Sequence, residues 1–280
     1  MKYFIYSGAG NDFVMLNNWD NAVPFEKQSD FARKICDEQF PNIDGVIFVD
    51  KPEGKESLVR MNYFNRDGSY GAMCGNGARC IAQFSIDEGL VRQGIFNLEA
   101  VDKTYKAEIE ETGIVKIYFP PPSEIKLNIS IEDKALNVNR VQVGTEHVVL
   151  FIKDETNKKV LNSASLDNVK VNELGKVIRF HKQFQPKGAN VNFTDVISEN
   201  EIRIRTYERG VERETLACGT GIISSAIVSS LLELVNPPVK VLVQSGERLS
   251  VDFINDNGKI SGLSLEGSAR KIGEGEMKGF

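Results

Sequence analysis

Two cysteines, each followed by a Gly-polar-Gly tripeptide, are the residues of this chain whose type and spacing could do chemistry. Cys74 precedes Gly-Asn-Gly at positions 75–77, and Cys218 precedes Gly-Thr-Gly at positions 219–221. A mostly apolar run follows each tripeptide and predicts a buried helix. A thiol at a helix N-terminus lies at the positive end of the helix dipole, which favours the thiolate, and the unpaired N–H groups there can hold a carboxylate. Each cysteine is therefore predicted to act as an acid or a base, and the two together would form one acid–base pair.

The two cysteines belong to a longer internal repeat. A tyrosine stands eleven positions before each of them, Tyr63 in the first copy and Tyr207 in the second. Further upstream, the segments 10–14 and 144–148 form a weaker pair. An internal repeat predicts two similar structural halves. We expect each half to present one cysteine to a shared cleft.

Two thiols that face one cleft suit the inversion of a stereocentre at the α-carbon of an amino acid. The reaction needs a base on one face of the carbon and an acid on the other, so each thiol can serve as base for one enantiomer and as acid for the other. Two helix N-termini that hold the α-carboxylate would stabilise the developing carbanion. This chemistry requires neither a metal nor a cofactor.

The elements that must position these residues are predicted to form two α+β domains. Each is expected to be a curved, mostly antiparallel sheet wrapped around a central helix, with the active site in the cleft between the domains. The three prolines at 120–122 mark the linker. The predicted domains are residues 1–122, joined by a C-terminal strand at 267–280, and residues 123–266. Helices are predicted at 29–36, 78–90, 169–180 and 222–235.

Composition narrows the class of protein. The chain has 280 residues, 41% of them hydrophobic and 26% charged, which is ordinary for a soluble protein of about two domains. A net charge of −5 without a basic cluster argues against nucleic-acid binding. We expect no membrane association, because no apolar run is long enough for a signal peptide or a membrane span. Four cysteines without CxxC spacing indicate reduced thiols in a cytoplasm.

Taken together and in order, five motifs resemble those of the diaminopimelate epimerase family. They are Gly10-Asn11-Asp12-Phe13, Phe64-Asn65-x-Asp67-Gly68-Ser69, Cys74-Gly75-Asn76-Gly77-Ala78-Arg79-Cys80, Tyr207-Glu208-Arg209-Gly210 and Ala217-Cys218-Gly219-Thr220-Gly221. The resemblance implies a pyridoxal-independent epimerase that interconverts LL- and meso-2,6-diaminopimelate for lysine and peptidoglycan synthesis. It also implies two pseudo-symmetric domains, a small amino-acid substrate, and no cofactor or metal; a homodimer is left open.

The resemblance carries site roles onto individual residues. It makes Cys74 and Cys218 the acid–base pair, with Glu208 and His147 close to the thiols. Arg209, next to Glu208, is suited to the distal carboxylate of the substrate. The implied substrate-binding residues are Asn11, Asn65, Gly75, Asn76, Asn190, Arg209, Gly219, Thr220 and Thr145.

Three departures from the family pattern bear on the choice of substrate. Thr145 and Glu146 stand where the family commonly has Asn-Pro, which puts a distal contact in doubt. Gly45 stands where a glutamine is frequent, so that contact is absent. The stretch from Gly210 to Cys218 is one residue longer than in many relatives.

Structural readings compete with these roles for several residues. Cys36 and Cys80 are interpreted as small buried hydrophobes. His147 could be a satisfied core residue, and His181 is predicted at the surface. Asn11 and Asn65 could serve turns, Glu208 and Arg209 could form an exposed ion pair, and residues 132–134 are predicted to be a solvated loop.

Other functions remain as alternatives. A racemase or isomerase of the same fold would keep both cysteines and act on another amino acid. A thiol hydrolase would pair one cysteine with a histidine base and leave the second cysteine unexplained. A redox or metal-binding protein would use the thiols together, but Cys74 and Cys218 lack metal-site spacing.

Overall fold

A computed structural model describes residues 1–71, 73–92, 94–101, 103–109, 113–161, 163 and 165–277. Two ends of predicted strands, Glu110 and residues 278–280, lie outside this described part. Within it the chain forms five α-helices and seventeen strands. The helices are α1 Phe25–Glu38, α2 Gly75–Asp87, α3 Glu155–Leu161, α4 Val171–Arg179 and α5 Gly219–Leu231. None of the helices formed by these residues is long and apolar enough to span a membrane.

The strands occur in groups of two or more before, between and after the helices. They are β1 Lys2–Gly8, β2 Asn11–Asn17, β3 Gly45–Asp50, β4 Val59–Asn65, β5 Gly94–Ala100, β6 Lys103–Ile109, β7 Ile114–Tyr118, β8 Glu124–Ile131, β9 Leu136–Val143, β10 Thr145–Phe151, β11 Asn190–Ser198, β12 Glu201–Glu208, β13 Arg213–Thr215, β14 Val239–Leu242, β15 Arg248–Asp256, β16 Lys259–Ser268 and β17 Arg270–Glu276. The contacts between residues divide the chain into two compact units. One contains residues 1–119 and the C-terminal segment from Glu266, and the other contains Pro120–Leu265.

The first unit is a sheet with a helix on each face. β2 pairs antiparallel with β1 and parallel with β3, and β4 pairs antiparallel with β3 and parallel with β5. The C-terminal strand β17 pairs with β1. All four residues from Val46 to Val49 in β3 are fully buried, because α1 packs on one face of this strand and α2 on the other. A strand covered on both faces is apolar throughout rather than alternating.

The second unit repeats this strand order. β10 pairs antiparallel with β9 and parallel with β11, and β12 pairs antiparallel with β11 and parallel with β14. α5, which follows β12 and the short β13, contacts β9, β10 and β11, as α2 contacts the corresponding strands β1, β2 and β3 in the first unit. α3 and α4 stand in the chain where α1 stands in the first unit. The predicted α+β fold with two similar halves is confirmed.

Helix boundaries differ from the predicted ones for a physical reason. α2 and α5 both begin three residues earlier than predicted, because the carbonyl of each cysteine already accepts the first helical N–H, from Ala78 at 2.8 Å and from Ile222 at 2.9 Å. The glycines are therefore inside the first turn. α1 is longer than predicted. α3 and β8 were not predicted; β8 is half-exposed and interrupted by an irregular register between Lys126 and Ile129.

The surface prediction for His181 is wrong, and the one for residues 132–134 is right about their exposure but not about their secondary structure. His181 is only 8% exposed, and its Nε2 lies 2.9 Å from Asp133 Oδ1. Its ring also packs against Phe184. The expected loop at Glu132–Lys134 is a short 3-10 helix that presents Asp133 to the histidine, and this hydrogen bond lowers the pKa of the Asp133 carboxyl. The charged residues next to His181 in the sequence suggested a surface position, and its partner lies 48 residues away in the chain.

Candidate active site

Cys74 is the N-cap residue of α2. Its backbone is extended, with φ −99° and ψ 113°, and its Sγ accepts a hydrogen bond from the Gly77 N–H at 3.4 Å. The sulfur thus occupies the position that a serine or aspartate oxygen takes in ordinary helix caps. This contact and the helix dipole both favour a negatively charged sulfur.

The glycines around Cys74 permit close approach of backbone to backbone. A Cβ on Gly77 would lie 3.0 Å from Ile47 Cδ1. A Cβ on Gly8, at the end of β1, would lie 3.0 Å from the Asn76 carbonyl oxygen and 3.1 Å from Cys80 Sγ. Because both positions lack a side chain, the start of α2 sits directly against the sheet. Cys80 is fully buried and packs at this contact.

Asn76 connects Asn11 with Arg79 near the start of α2. Its Nδ2 donates to Asn11 Oδ1 at 2.6 Å, and its Oδ1 accepts from Arg79 Nη2 at 2.9 Å. Arg79 is fully buried one helical turn after Gly75, and its Nη1 donates to the Gly75 carbonyl at 3.5 Å, so its positive charge lies beside the helix start. Sequence reasoning did not single out Arg79. The available signal was an arginine in an otherwise apolar helix, since buried charges are rare unless they are partnered.

Asn65 is held inside its own loop. Its Oδ1 accepts from the Tyr63 hydroxyl at 2.8 Å, and its Nδ2 donates to Ser69 Oγ at 3.0 Å. Hydrogen bonds from the Ser69 hydroxyl and N–H lower the pKa of Asp67, and Gly68 supplies the positive φ of +81° that the turn requires. Asn11 is therefore hydrogen-bonded directly to Asn76, whereas these hydrogen bonds of Asn65 are made to residues close to it in the sequence.

The departure at Gly45 has a local explanation. A Cβ on Gly45 would overlap the Phe64 carbonyl oxygen of the neighbouring strand, so no larger residue fits. Beside it, Asp44 Oδ2 accepts from the Asp12 N–H at 2.9 Å, and the Asp44 N–H donates to the Asp12 carbonyl at 2.9 Å. These two bonds hold the chain next to Asn11.

Cys218 is the N-cap residue of α5, also with an extended backbone, at φ −122° and ψ 110°. Its thiol has a different neighbour from that of Cys74: Cys218 Sγ lies 3.7 Å from Thr220 Oγ1. Thr220 Oγ1 lies in turn 2.8 Å from His147 Nε2. A hydroxyl group therefore stands between the sulfur and the imidazole.

His147 is fully buried on β10. Burial, and secondarily the positive charge of Arg209, lower the pKa of His147 from 6.5 to about 3. The imidazole is consequently neutral near pH 7, with one nitrogen that donates and one that accepts. Its Nε2 also lies 3.0 Å from Thr145 Oγ1. This arrangement suits a fixed hydrogen-bonding group rather than a titrating acid.

Asn190 connects His147 to the end of β12. Its Nδ2 donates to Thr145 Oγ1 at 3.1 Å, and its Oδ1 accepts from the Arg209 N–H at 2.8 Å. Glu208 is half-buried, and its Oε2 accepts from the Thr215 hydroxyl at 2.9 Å. Cys218, Thr220, His147, Thr145, Asn190 and Arg209 therefore form one connected group, with Glu208 beside it in the chain.

The charge that Glu146 adds is directed away from this group. Its carboxylate pairs with Arg140 on β9. The shorter side chain of Thr145 is occupied by Asn190 and His147. A second residue that sequence reasoning missed is Asn192, which is fully buried and donates from Nδ2 to His147 Nδ1 at 3.2 Å. The available signal was an asparagine between apolar residues of a buried strand.

Comparison with known proteins gives a consistent match over nearly the whole chain. Residues 3–122 and 140–272 match the family model described as diaminopimelate epimerase. The chain is 40% identical to the diaminopimelate epimerase of Aquifex aeolicus (strain VF5), with 99% of this chain and 98% of that protein aligned. It is 36% identical to the diaminopimelate epimerase of Hydrogenobaculum sp. (strain Y04AAS1), with 97% and 96% aligned.

Solved structures of lower identity share the fold. A PhzF-family phenazine biosynthesis protein of Bacillus anthracis has a TM-score of 0.75 at 16% identity, covering 99% of this chain and 98% of that one. A hydroxyproline epimerase from Agrobacterium vitis, with bound trans-4-hydroxy-L-proline, has a TM-score of 0.71 at 13% identity, covering 98% and 91%. These likenesses show the fold alone and agree with two pseudo-symmetric α+β domains.

Proposed function

The chain belongs to the diaminopimelate epimerase family, and we propose that it interconverts LL- and meso-2,6-diaminopimelate by a two-base cysteine mechanism. As a member of this family it is an isomerase, and its reaction belongs to lysine biosynthesis. The observation that carries the mechanism is the placement of Cys74 and Cys218 as N-cap residues of α2 and α5, two helices in equivalent positions of the repeated fold.

In the proposed reaction, the thiolate of one cysteine removes the proton from the α-carbon, and the thiol of the other delivers its proton to the opposite face. The C–H bond that breaks and the C–H bond that forms involve the same carbon, so the configuration inverts and no group is lost. Afterwards the two sulfurs have exchanged protonation states. The reverse reaction uses them in the opposite roles.

The α-carboxylate would be held by N–H groups of the two helix starts, at Gly75 and Asn76 in one unit and at Gly219 and Thr220 in the other. The first-turn N–H groups of a helix have no intrahelical acceptor. As negative charge develops on the substrate, these fixed dipoles stabilise it without reorganisation. This is the proposed substitute for an electron-accepting cofactor.

The distal end of the substrate would be recognised by side chains near the two helix starts. Arg209 supplies a guanidinium for the second carboxylate, and Glu208 supplies a carboxylate for the second ammonium group. Asn11, Asn65, Asn190 and Thr145 would complete the pocket. Glu208 and His147 would also influence the thiols.

The domain boundaries and the cellular context remain proposals. We place one domain at residues 1–122 with the strand at 267–280, and the other at 123–266. The proposed location is the cytoplasm. A homodimer is the proposed assembly, and light scattering on the eluting peak of a sizing column would test it by giving either one or two times the 31.2 kDa chain mass.

A racemase for another amino acid is the second candidate, because the fold is shared with a hydroxyproline epimerase. Separation of the LL and meso forms by chromatography after incubation with the purified enzyme tests the proposal. We expect conversion of LL-diaminopimelate and none of L-proline, trans-4-hydroxy-L-proline or L-glutamate. Conversion of one of these and none of diaminopimelate would favour the second candidate.

A further inference from the structure

Asn192 lies in the middle of β11, fully buried, and no role in the reaction has been assigned to it above. Its side chain makes three hydrogen bonds. Nδ2 donates to the Val148 carbonyl at 3.0 Å and to His147 Nδ1 at 3.2 Å, and Oδ1 accepts from the Thr206 hydroxyl at 2.9 Å. Both hydrogens of the Asn192 amide nitrogen therefore have an acceptor.

The Val148 carbonyl decides which way the Asn192 amide faces. A carbonyl can only accept, so the amide nitrogen of Asn192 must point towards β10. The second hydrogen of that nitrogen is then directed at His147 Nδ1, which must accept it. Because His147 is neutral, its single ring proton is on Nε2.

The position of this proton determines how the Thr220 hydroxyl group is oriented. Nε2 has two hydroxyl neighbours, Thr145 Oγ1 at 3.0 Å and Thr220 Oγ1 at 2.8 Å. Donation from Nε2–H to the nearer one, Thr220, leaves the threonine hydrogen available for Cys218 Sγ at 3.7 Å. With the proton on Nδ1 instead, Nε2 would be an acceptor 2.8 Å from Thr220 Oγ1 and would compete with the sulfur for the threonine hydrogen. We propose that Asn192 is a positioning residue that fixes the Nε2–H tautomer of His147 and thereby directs the Thr220 hydroxyl hydrogen to Cys218.

The surroundings of Asn192 fit this role. A Cβ on Gly221 would overlap Asn192 Oδ1, so the start of α5 is shaped around the amide. Aspartate at 192 would offer His147 Nδ1 an acceptor and would therefore favour a proton on Nδ1 instead of Nε2. Leucine would offer His147 no hydrogen bond. The inference rests on the proposed function, in which Cys218 takes and returns a proton. Its tests use no substrate, so its failure and the failure of the proposed function are distinguishable.

The tautomer can be observed directly in the intact wild-type protein. The chain has two histidines, so ¹⁵N–¹H correlation spectra contain two imidazoles, and His147→Gln identifies the signals of His147. We expect a neutral ring protonated at Nε2 from pH 6 to pH 8. A ring protonated at Nδ1, or at both nitrogens, would overturn the proposal.

The effect on the thiol is tested by alkylation with iodoacetamide at pH 7, followed by peptide mass spectrometry. In Asn192→Leu, we expect Cys218 to react about 10-fold more slowly, because a hydrogen bond to a charged group is lost. Cys74 in the same molecules is the internal control and should keep its rate. Asn139→Leu is the matched control, since Asn139 is a buried asparagine of β9 whose side chain, within the described part of the chain, bonds to backbone groups of Asn128 and Val149.

A double-mutant cycle separates the proposed route from general damage. In a Thr220→Val background the hydroxyl is gone, so adding Asn192→Leu should slow Cys218 no further. Independent, additive slowing, or an unchanged Cys218 rate in Asn192→Leu, would refute the route through His147 and Thr220. Should Asn192→Leu fail to fold, Thr206→Val replaces it with a smaller expected slowing, and the wild-type tautomer still decides the matter.

Discussion

At the scale of single residues, the two cysteines share a backbone position and differ in what contacts the sulfur. Cys74 Sγ accepts from a backbone N–H at 3.4 Å, whereas Cys218 Sγ lies 3.7 Å from the Thr220 hydroxyl that His147 contacts. The repeat thus reproduces the helix cap but not the side chains around it.

The burial of His147 predicts a pH dependence of stability. Its pKa is lowered to about 3, against 6.5 in the unfolded chain, so between these values the unfolded state binds a proton that the folded state does not. The unfolding free energy must therefore fall as pH is lowered from about 6.5 towards 3, by at most about 1.4 kcal/mol per pH unit for one proton. Above pH 6.5 both states are neutral and the effect vanishes.

Denaturant unfolding at pH 7 and at pH 5.5 measures this slope. We expect His147→Gln, which cannot titrate, to lose less stability than the wild type over that interval, whatever its stability at pH 7. Equal losses in the two proteins would show that His147 is not held neutral in the folded state.

At the scale of elements, the starts of α2 and α5 are fitted closely to the sheets beneath them. Gly221 is in the first turn of α5, where alanine would ordinarily favour the helix by about 1 kcal/mol. Here a Cβ would overlap Asn192 Oδ1, so either the helix start or the amide must move. The geometry therefore predicts that the usual benefit of alanine is reversed.

Gly221→Ala should lower the unfolding free energy by about 1–3 kcal/mol, as overpacking does, and reduce kcat at least 10-fold through displacement of Cys218. Gly273→Ala in β17 is the matched control, because among the described residues the three atoms nearest to its Cβ would all belong to Ile5, at 3.5 Å or more, an ordinary contact. A Gly221→Ala protein as stable and as active as the wild type would contradict the fitted helix start.

The elements also show what the sequence could and could not reveal. Each buried helix after a cysteine was predictable, because a long apolar run after Gly-polar-Gly has few other interpretations. The buried polar contacts of Asn192 and His181 were not predictable, because these residues find their partners through strand register or in distant segments. Asn192 meets Thr206 because β11 and β12 pair those two residues, and no local pattern encodes that pairing.

At the scale of the whole molecule, the C-terminal segment completes the unit that the N-terminus begins. β17 pairs with β1, and Met277 is 5% exposed within an apolar cluster that contains Val14 and Leu16. The chain therefore leaves the first unit, forms the second and returns. This return accounts for the two segments of the first unit.

Met277→Ala should destabilise the first unit by roughly 2–3 kcal/mol through the cavity it leaves. The single tryptophan, Trp19, belongs to that unit, so its fluorescence reports the relevant unfolding transition. Ile272→Ala in β17, the strand that ends just before Met277, is the control, since Ile272 is 52% exposed and should change little. An unchanged Trp19 unfolding transition in Met277→Ala would show that the Met277 side chain does not stabilise this unit.

The most direct test of the two-base account is the isotope carried by the first product formed in heavy water. LL-diaminopimelate is incubated with the enzyme in D₂O, and the initial meso product and the remaining substrate are analysed by mass spectrometry. The account predicts product with one deuterium at the inverted carbon and substrate still unlabelled, and it predicts rates at least 100-fold lower in Cys74→Ala and in Cys218→Ala. Product that keeps its original proton, or substantial turnover by either variant, would contradict it.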